Sequence, residues 1–258
     1  MSEWGFDLQN ISAQWTPHGK NILEEVNLSF RVTDENMGFL PLMGPSGQGK
    51  STLLYLLASL KRPTTGTVQW ILPTGATYQL DNPLYNSSKD DIVKLRRKTF
   101  GFAFQNSTLS PHLSILENIA YPLLPEKSWK EALGIAETAL SQVLLPDEQE
   151  NKSSLLNCFP AQLSGGQRQR VALAQAMVHN PTVLFADEPT GQLDRHTRKQ
   201  VMDILKHWVE CGQKNRCFIW VTHHHIGDLE MMGLNDLLFV ENKQCTYRDR
   251  KWLEHWLT

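Results

Sequence analysis

The residues best suited to chemistry run Gly44-Pro45-Ser46-Gly47-Gln48-Gly49-Lys50-Ser51-Thr52, and they satisfy the pattern G-x-x-x-x-G-K-[ST] at every fixed position. Glycines at this spacing let successive backbone N–H groups turn inward on an anion, and a helix beginning behind them adds the positive end of its dipole. Lys50 offers a point charge to the outer phosphates of a nucleotide, and Ser51 offers a hydroxyl to Mg2+. Two carboxylates suited to the same task, Asp187 and Glu188, close the apolar run Val183-Leu184-Phe185-Ala186. Asp187 would hold the water shell of Mg2+, and Glu188 would orient or deprotonate an attacking water. Paired acids at a strand end also serve as helix caps; the phosphate pattern upstream favours the catalytic reading.

Four further features have two readings each. Leu163-Ser164-Gly165-Gly166-Gln167 opens a helix read from Arg168 to Val178, either as a second anion-binding helix end or as a helix capped by Ser164 with flexible glycines. Gln105 ends the apolar stretch Phe100-Gly101-Phe102-Ala103-Phe104, where it can ligate a metal or a water, or simply terminate a strand at the surface. Trp15, before the turn residues Pro17, His18 and Gly19, is a stacking platform for a flat base or a core or edge aromatic. His223 to His225 leave the strand Cys217 to Thr222; neighbouring strand residues face opposite ways, so one histidine touching a phosphate is preferred to a metal cluster.

Positioning these groups requires an α/β fold. Phe39 to Met43 reads as a buried parallel strand entering the phosphate loop, with Pro41 pushing it toward a strand start or an edge. Leu53, Leu54, Leu56, Leu57 and Leu60 follow at helical spacing until Lys61, Arg62 and Pro63. Alternating residues from Trp4 to Trp15, from Val26 to Val32 and from Thr67 to Leu72 indicate an antiparallel β layer, and residues 73–89 read as a long surface connection. Helical patterns from Ser107 to Asn157 indicate an inserted helical lobe. The tail carries Trp252, Leu253, Trp256 and Leu257 as an apolar helical stripe expected to pack on its own domain.

With 258 residues, 41% of them hydrophobic, the chain can bury a substantial core as one domain or a domain with a lobe. Its 25 basic and 27 acidic residues nearly cancel, which argues against a nucleic-acid surface and against a polybasic membrane anchor. No run of about 18 apolar residues is available to span a bilayer, and Met1 to Asn10 mixes charge with aromatics, unlike a signal peptide. A cytosolic chain that reaches membranes through a partner is expected. Cys158, Cys211, Cys217 and Cys245 form no C-x-x-C pair and no zinc spacing, and no chemistry is assigned to them.

GPSGQGKST, the glutamine of FAFQ, LSGGQ, VLFADEPT, GQLD and VTH occur in the order and spacing of the ATP-binding cassette (ABC) ATPases, which the chain resembles from Trp15 to about Val240. The resemblance implies a P-loop (RecA-like) core with an N-terminal antiparallel β layer and an inserted α-helical lobe. One domain, 1–258, would divide into a nucleotide-binding core of 1–104 plus 178–258 and a lobe of 105–177. It implies a head-to-tail homodimer in which the phosphate loop of one copy and Ser164, Gly165, Gly166 and Gln167 of the other enclose each ATP with Mg2+. Trp15 then stacks on adenine and Gln105 stands between metal and lobe. Asp187 is the metal-side carboxylate and Glu188 the base; Asp194 lies in the interface loop, and His223 meets the γ-phosphate. The lobe would grip an integral membrane permease at the cytoplasmic face of a bacterial inner membrane, with a periplasmic adaptor reached through the permease, and no nucleic acid is involved. LRRKTFGFAFQNSTLSPHLSILENIAYPLL and DEPTGQLD resemble the branch serving lipoprotein release, macrolide-type efflux and the cell-division ATPase complex. Export or extraction of a substrate from that membrane is one implied function; mechanical or regulatory signalling without transport is the other. Gln175, where the family commonly has arginine, and His224, where it has an acid, depart from the pattern.

Overall fold

Alternating apolar residues build the first layer. β1 (Gly5–Ala13) and β2 (Leu23–Arg31) pair antiparallel, with Phe6 opposite Phe30 and Leu8 opposite Leu28. The register shifts between Leu8 and Ile11, and Asn10 takes a φ of 50°. This bulge keeps both apolar series on one face although the sequence changes phase there. β4 (Thr65–Ile71) pairs with the other edge of β1, and β5 (Thr77–Leu80) with β4, giving the order β2-β1-β4-β5. β5 corrects the expectation of a long surface connection at residues 77–80, and residues 82–88 of that stretch lie outside the described residues. A tight turn, in which Gly75 N donates to Leu72 O at 2.8 Å, returns the chain along β4, and the polar Thr77 and Gln79 occupy the exposed side of an edge strand. The computed structural model describes residues 3–81, 89–104, 109–191, 193–222 and 226–257, so Gln105 and His223 to His225 lie outside the described residues.

The second sheet holds β3 (Phe39–Met43), β6 (Phe100–Ala103), β7 (Val183–Asp187), β8 (Cys217–Val221), β9 (Asp236–Glu241) and β10 (Gln244–Asp249), in the order β10-β9-β3-β8-β7-β6. All its pairings are parallel except the β9–β10 hairpin. β3 is central, which corrects the edge placement suggested by Pro41. It pairs with β8 from Phe39 to Leu42, but its ladder to β9 begins only at Leu42, so no bond to β9 requires an N–H at position 41. Successive strand residues serve opposite faces. Leu42, Phe185 and Ile219 meet α1 (Lys50–Leu57) and the antiparallel layer, where Trp70 lies 5.2 Å from Phe6 and from Phe100 and 6.1 Å from Phe185. Met43, Leu184 and Trp220 meet the other side's helices.

Those helices are α8 (Arg195–Glu210), α9 (Ile226–Met232) and α10 (Arg250–Leu257), which contribute Val201, Leu205, Leu229 and Leu253 to the buried cluster. Trp252 and Trp256 both meet the Phe239 ring, at 4.8 and 5.0 Å, so the terminal stripe packs on its own domain as its spacing predicts. α1 stops at Leu57 rather than at Leu60. Ser59 adopts a left-handed φ of 57°, the N–H groups of Leu60 and Lys61 both donate back to Tyr55 O, and Leu60 is turned outward. α2 (Lys89–Thr99) leads into β6. α3 (Ile115–Ala120), α4 (Trp129–Ser141), α5 (Pro146–Glu150), α6 (Lys152–Leu156) and α7 (Gly165–Met177) surround a third core that includes Ile119, Ala136, Leu140 and Val171. Capping boxes Ser114/Glu117 and Ser128/Glu131 begin α3 and α4. Gln175 bridges α7 to α3 by donating to Asn118 O at 2.8 Å. Among the described residues no helix is long and apolar enough to cross a membrane.

Candidate functional site

β3 delivers the chain into the phosphate loop. Gly44 has a φ of 137°, and a Cβ there would lie 2.1 Å from Val240 O, so glycine is required. Gln48 fixes the loop from the side by accepting from Asn242 N at 3.0 Å. Gly49 starts α1 at a φ of 103° without any side-chain cap, which leaves the first-turn N–H groups for an anion. Lys50 is buried, and its ammonium donates to Gly44 O at 2.8 Å and Pro45 O at 2.7 Å. Burial pushes this amine below its ordinary value, while the charges of Glu188 and Asp187 oppose that shift.

Asp187 ends β7 on the same face as Val183 and Phe185, the face that meets α1. There Ser51 donates its hydroxyl to Asp187 Oδ1 at 3.0 Å, joining residues 136 apart in sequence. Tyr55, one turn further along α1, donates to Asp187 Oδ2, also at 3.0 Å. Tyr55 was not singled out by its residue type, yet its i+4 spacing from Ser51 is the signal that would have found it. Burial, with the Asp187 charge next, raises its phenol to about 12, so the hydroxyl is a proton donor at neutral pH. Glu188 turns out of the sheet at a left-handed φ of 51°, its N–H donating to Val221 O at 3.1 Å. Such a backbone is uncommon for a residue with a side chain, and here it carries Glu188 off the line of the strand.

Trp15 is 56% exposed and stands at the mouth of this cleft, which excludes the core-aromatic reading. Its indole N–H donates to Thr52 Oγ1 at 3.1 Å, its ring meets Tyr55 edge-on at 6.1 Å, and the Lys61 ammonium lies 4.7 Å from its centroid. Trp15, Ser46, Gly47, Lys50, Ser51 and Glu188, with Ile22 beside them, line a cleft of about 290 Å³. A larger groove of about 530 Å³ between α4 and α8 contains none of these groups.

The Ser-Gly-Gly helix end lies outside that cleft. Ser164 accepts from Gln167 N at 3.2 Å and its own N–H donates to Gln167 Oε1 at 3.0 Å, a reciprocal cap that starts α7 at Gly165, three residues before Arg168. Glu148 of α5 holds this end from behind, accepting from Gln167 Nε2 at 3.1 Å and forming a nearly buried ion pair with Arg170. Gly166 must be small, because a Cβ would meet Thr197 Cγ2 at 2.6 Å. Asp194 caps α8 beside it through His196 N at 2.9 Å and Thr197 N at 3.1 Å, and the Thr197 hydroxyl, its strongest partner, holds the Asp194 carboxyl below the usual carboxylate range. Ser164, Gly165 and Asp194 are exposed. The structure thus gathers Trp15, the phosphate loop, Asp187 and Glu188 in one place and Ser164 to Gln167 with Asp194 in another.

The sequence profile of ABC transporters matches residues 26–191. The ABC transporter ATP-binding protein MJ0796 of Methanocaldococcus jannaschii is 37% identical over 202 residues, 78% of each chain. LolD, the ATP-binding protein of a lipoprotein-releasing system in Wigglesworthia glossinidia brevipalpis, is 36% identical over 219 residues, 84% of this chain and 86% of LolD. The solved dimeric structure of a post-hydrolysis state of MJ0796 bound to ADP and Pi matches with a TM-score of 0.75 at 30% identity, covering 95% of this chain and 99% of that one. Profile, relatives and fold agree with the geometry of the cleft, and the chain belongs to the ABC transporter family as an ATP-binding subunit that hydrolyses ATP to power a membrane transporter.

Proposed function

We propose that two copies of this chain close head to tail, so that each ATP lies between the phosphate loop of one and Ser164 to Gln167 of the other. The observation that carries this reading is the separation within one chain. The cleft contains the loop, Ser51 and Glu188 but no residue of the signature helix end, whose start is exposed. The dimeric form of MJ0796 supports it. In this arrangement Trp15 stacks on adenine, the loop N–H groups from Ser46 to Thr52 cradle the phosphates, and Lys50 exchanges the carbonyls of Gly44 and Pro45 for phosphate oxygens.

Ser51 and Asp187 present hard oxygen donors on adjoining positions, the donor set Mg2+ prefers, and Gln105 is the third residue assigned to it. When bound, Mg2+ neutralises charge on the phosphate oxygens. Glu188, carried beyond the strand by its left-handed backbone, takes the proton of the attacking water, and His223 senses the γ-phosphate. From the partner copy, Ser164, Gly165 and Gly166 turn a capped helix start toward the same phosphate, with Gln167 and Asp194 shaping the contact. Loss of the γ-phosphate removes the charge that both halves share, and the pair opens.

The lobe, residues 105–177, transmits this motion to an integral permease at the cytoplasmic face of a bacterial inner membrane, against the core of 1–104 plus 178–258. Similarity to LolD, the ATP-binding protein of a lipoprotein-releasing system, supports extraction or export of a substrate from that membrane; a periplasmic adaptor joined through the permease is part of the same proposal. Glu188→Gln tests the chemistry: phosphate release falls by about 10²–10⁴-fold while ATP remains bound. Near-normal turnover would remove Glu188 from the role of base. Substrate-stimulated hydrolysis by the reconstituted permease complex tests transport.

A further inference from the structure

We infer that Tyr55 is a positioning residue for the metal end of the site, holding Asp187 in the one orientation that leaves its other oxygen to Ser51 and the Mg2+ shell. Ser51 and Tyr55 stand four residues apart on α1, so both hydroxyls emerge on one side, a helical turn apart. Each takes a different oxygen of the same carboxylate at 3.0 Å. Two donors on two oxygens fix the plane of a carboxylate, whereas Ser51 alone leaves it free to rotate about its last torsion.

Tyr55 can impose that geometry because its own ring is held. The Trp15 ring meets it at 86° and 6.1 Å, and the Phe104 ring lies 6.5 Å away, tilted by 57°. Phe104 stacks on Phe102 at 6.2 Å, and Phe102 on Phe185 at 5.8 Å. Phe185 is two residues before Asp187 on β7 and shares its face, so the series of rings returns to the strand that bears the carboxylate. Donors placed behind a metal ligand orient it, and removing one typically costs about 10–100-fold in metal affinity.

This inference rests on the assignment of Asp187 and Ser51 to Mg2+, and the experiment separates the two. A fluorescent, non-hydrolysable ATP analogue is titrated into the Glu188→Gln protein, once with Mg2+ and once with EDTA, and the ratio of the two dissociation constants is the readout. Tyr55→Phe removes one oxygen and keeps the ring. It is expected to reduce the Mg2+-dependent gain by about tenfold and to leave the EDTA value within about twofold. An unchanged gain in Tyr55→Phe overturns the role of Tyr55 alone, and an equal loss in both conditions replaces it by a packing role. If the gain is absent already with Tyr55 present, or survives Ser51→Ala together with Asp187→Asn, the parent assignment of the metal site falls instead.

Discussion

The phosphate-loop end of α1 and the signature end of α7 are both helix starts rich in glycine, yet they are completed in different ways. At α1 the cap is a bare glycine, and the groups around it arrive from far along the chain: Asp187 across 136 residues, the Val240 carbonyl against Gly44, Asn242 on Gln48. At α7 the cap itself is local and its braces lie behind. Ser164 and Gln167 satisfy each other, Glu148 and Arg170 brace the helix from the lobe, and the outer surface stays open. A preassembled, cation-bearing cleft can bind nucleotide unaided; a braced but exposed helix start is shaped to meet something brought to it. On the proposed head-to-tail reading, binding needs the first half alone, whereas turnover needs both.

That division can be broken directly. Lys50→Ala should weaken ATP binding by about a hundredfold, the upper range for losing charge-assisted bonds, in the isolated chain where no partner contributes. Isothermal titration checks this, and a loss below about threefold would mean that the loop is not the main holder of the phosphates. Ser164→Ala should do the reverse. It leaves the affinity of the isolated chain within about twofold, costs roughly 1 kcal/mol of helix capping, and lowers turnover about fivefold. A matching fall in monomer affinity would show that the two ends are not separate.

The smallest effect concerns Asp194, which caps α8 next to Gly166. Its native carboxyl value lies below the unfolded 3.8, chiefly through the Thr197 hydroxyl. A depressed acid stabilises the fold above its unfolded value and loses that contribution as pH falls through the native one. Asp194→Asn keeps a capping oxygen but cannot titrate, so its melting temperature should fall less than that of the natural chain between about pH 5 and pH 3. Identical acid profiles would contradict the Thr197 bond.

Much of the first half-site was legible because its chemistry is written in contiguous residues with period-2 and helical flanks. The alternation of β7 even determines that Asp187 faces the helix that follows the loop. What remained hidden depends on partners distant in sequence. Pro41 suggests an edge until the short β3–β9 ladder is known, and Thr77 and Gln79 suggest a loop until β4 supplies their partner strand. Tyr55 has the composition of a core aromatic and gains its role only from the carboxylate facing it. Glu148 gave no signal at all, because the Arg170 and Gln167 that it braces are brought to it by the packing of the lobe.

The head-to-tail claim is tested most directly by placing cysteines at Ser46 and Ser164 in the Glu188→Gln chain, with Cys158 and Cys211, the two cysteines that are not buried, replaced by serine. With Mg2+ and ATP, a bifunctional thiol reagent long enough to reach past the bound triphosphate should link residue 46 of one copy to residue 164 of the other, giving a dimer on a denaturing gel that is absent with EDTA. A chain that stays monomeric with ATP bound, or that forms the link within itself, would contradict the account.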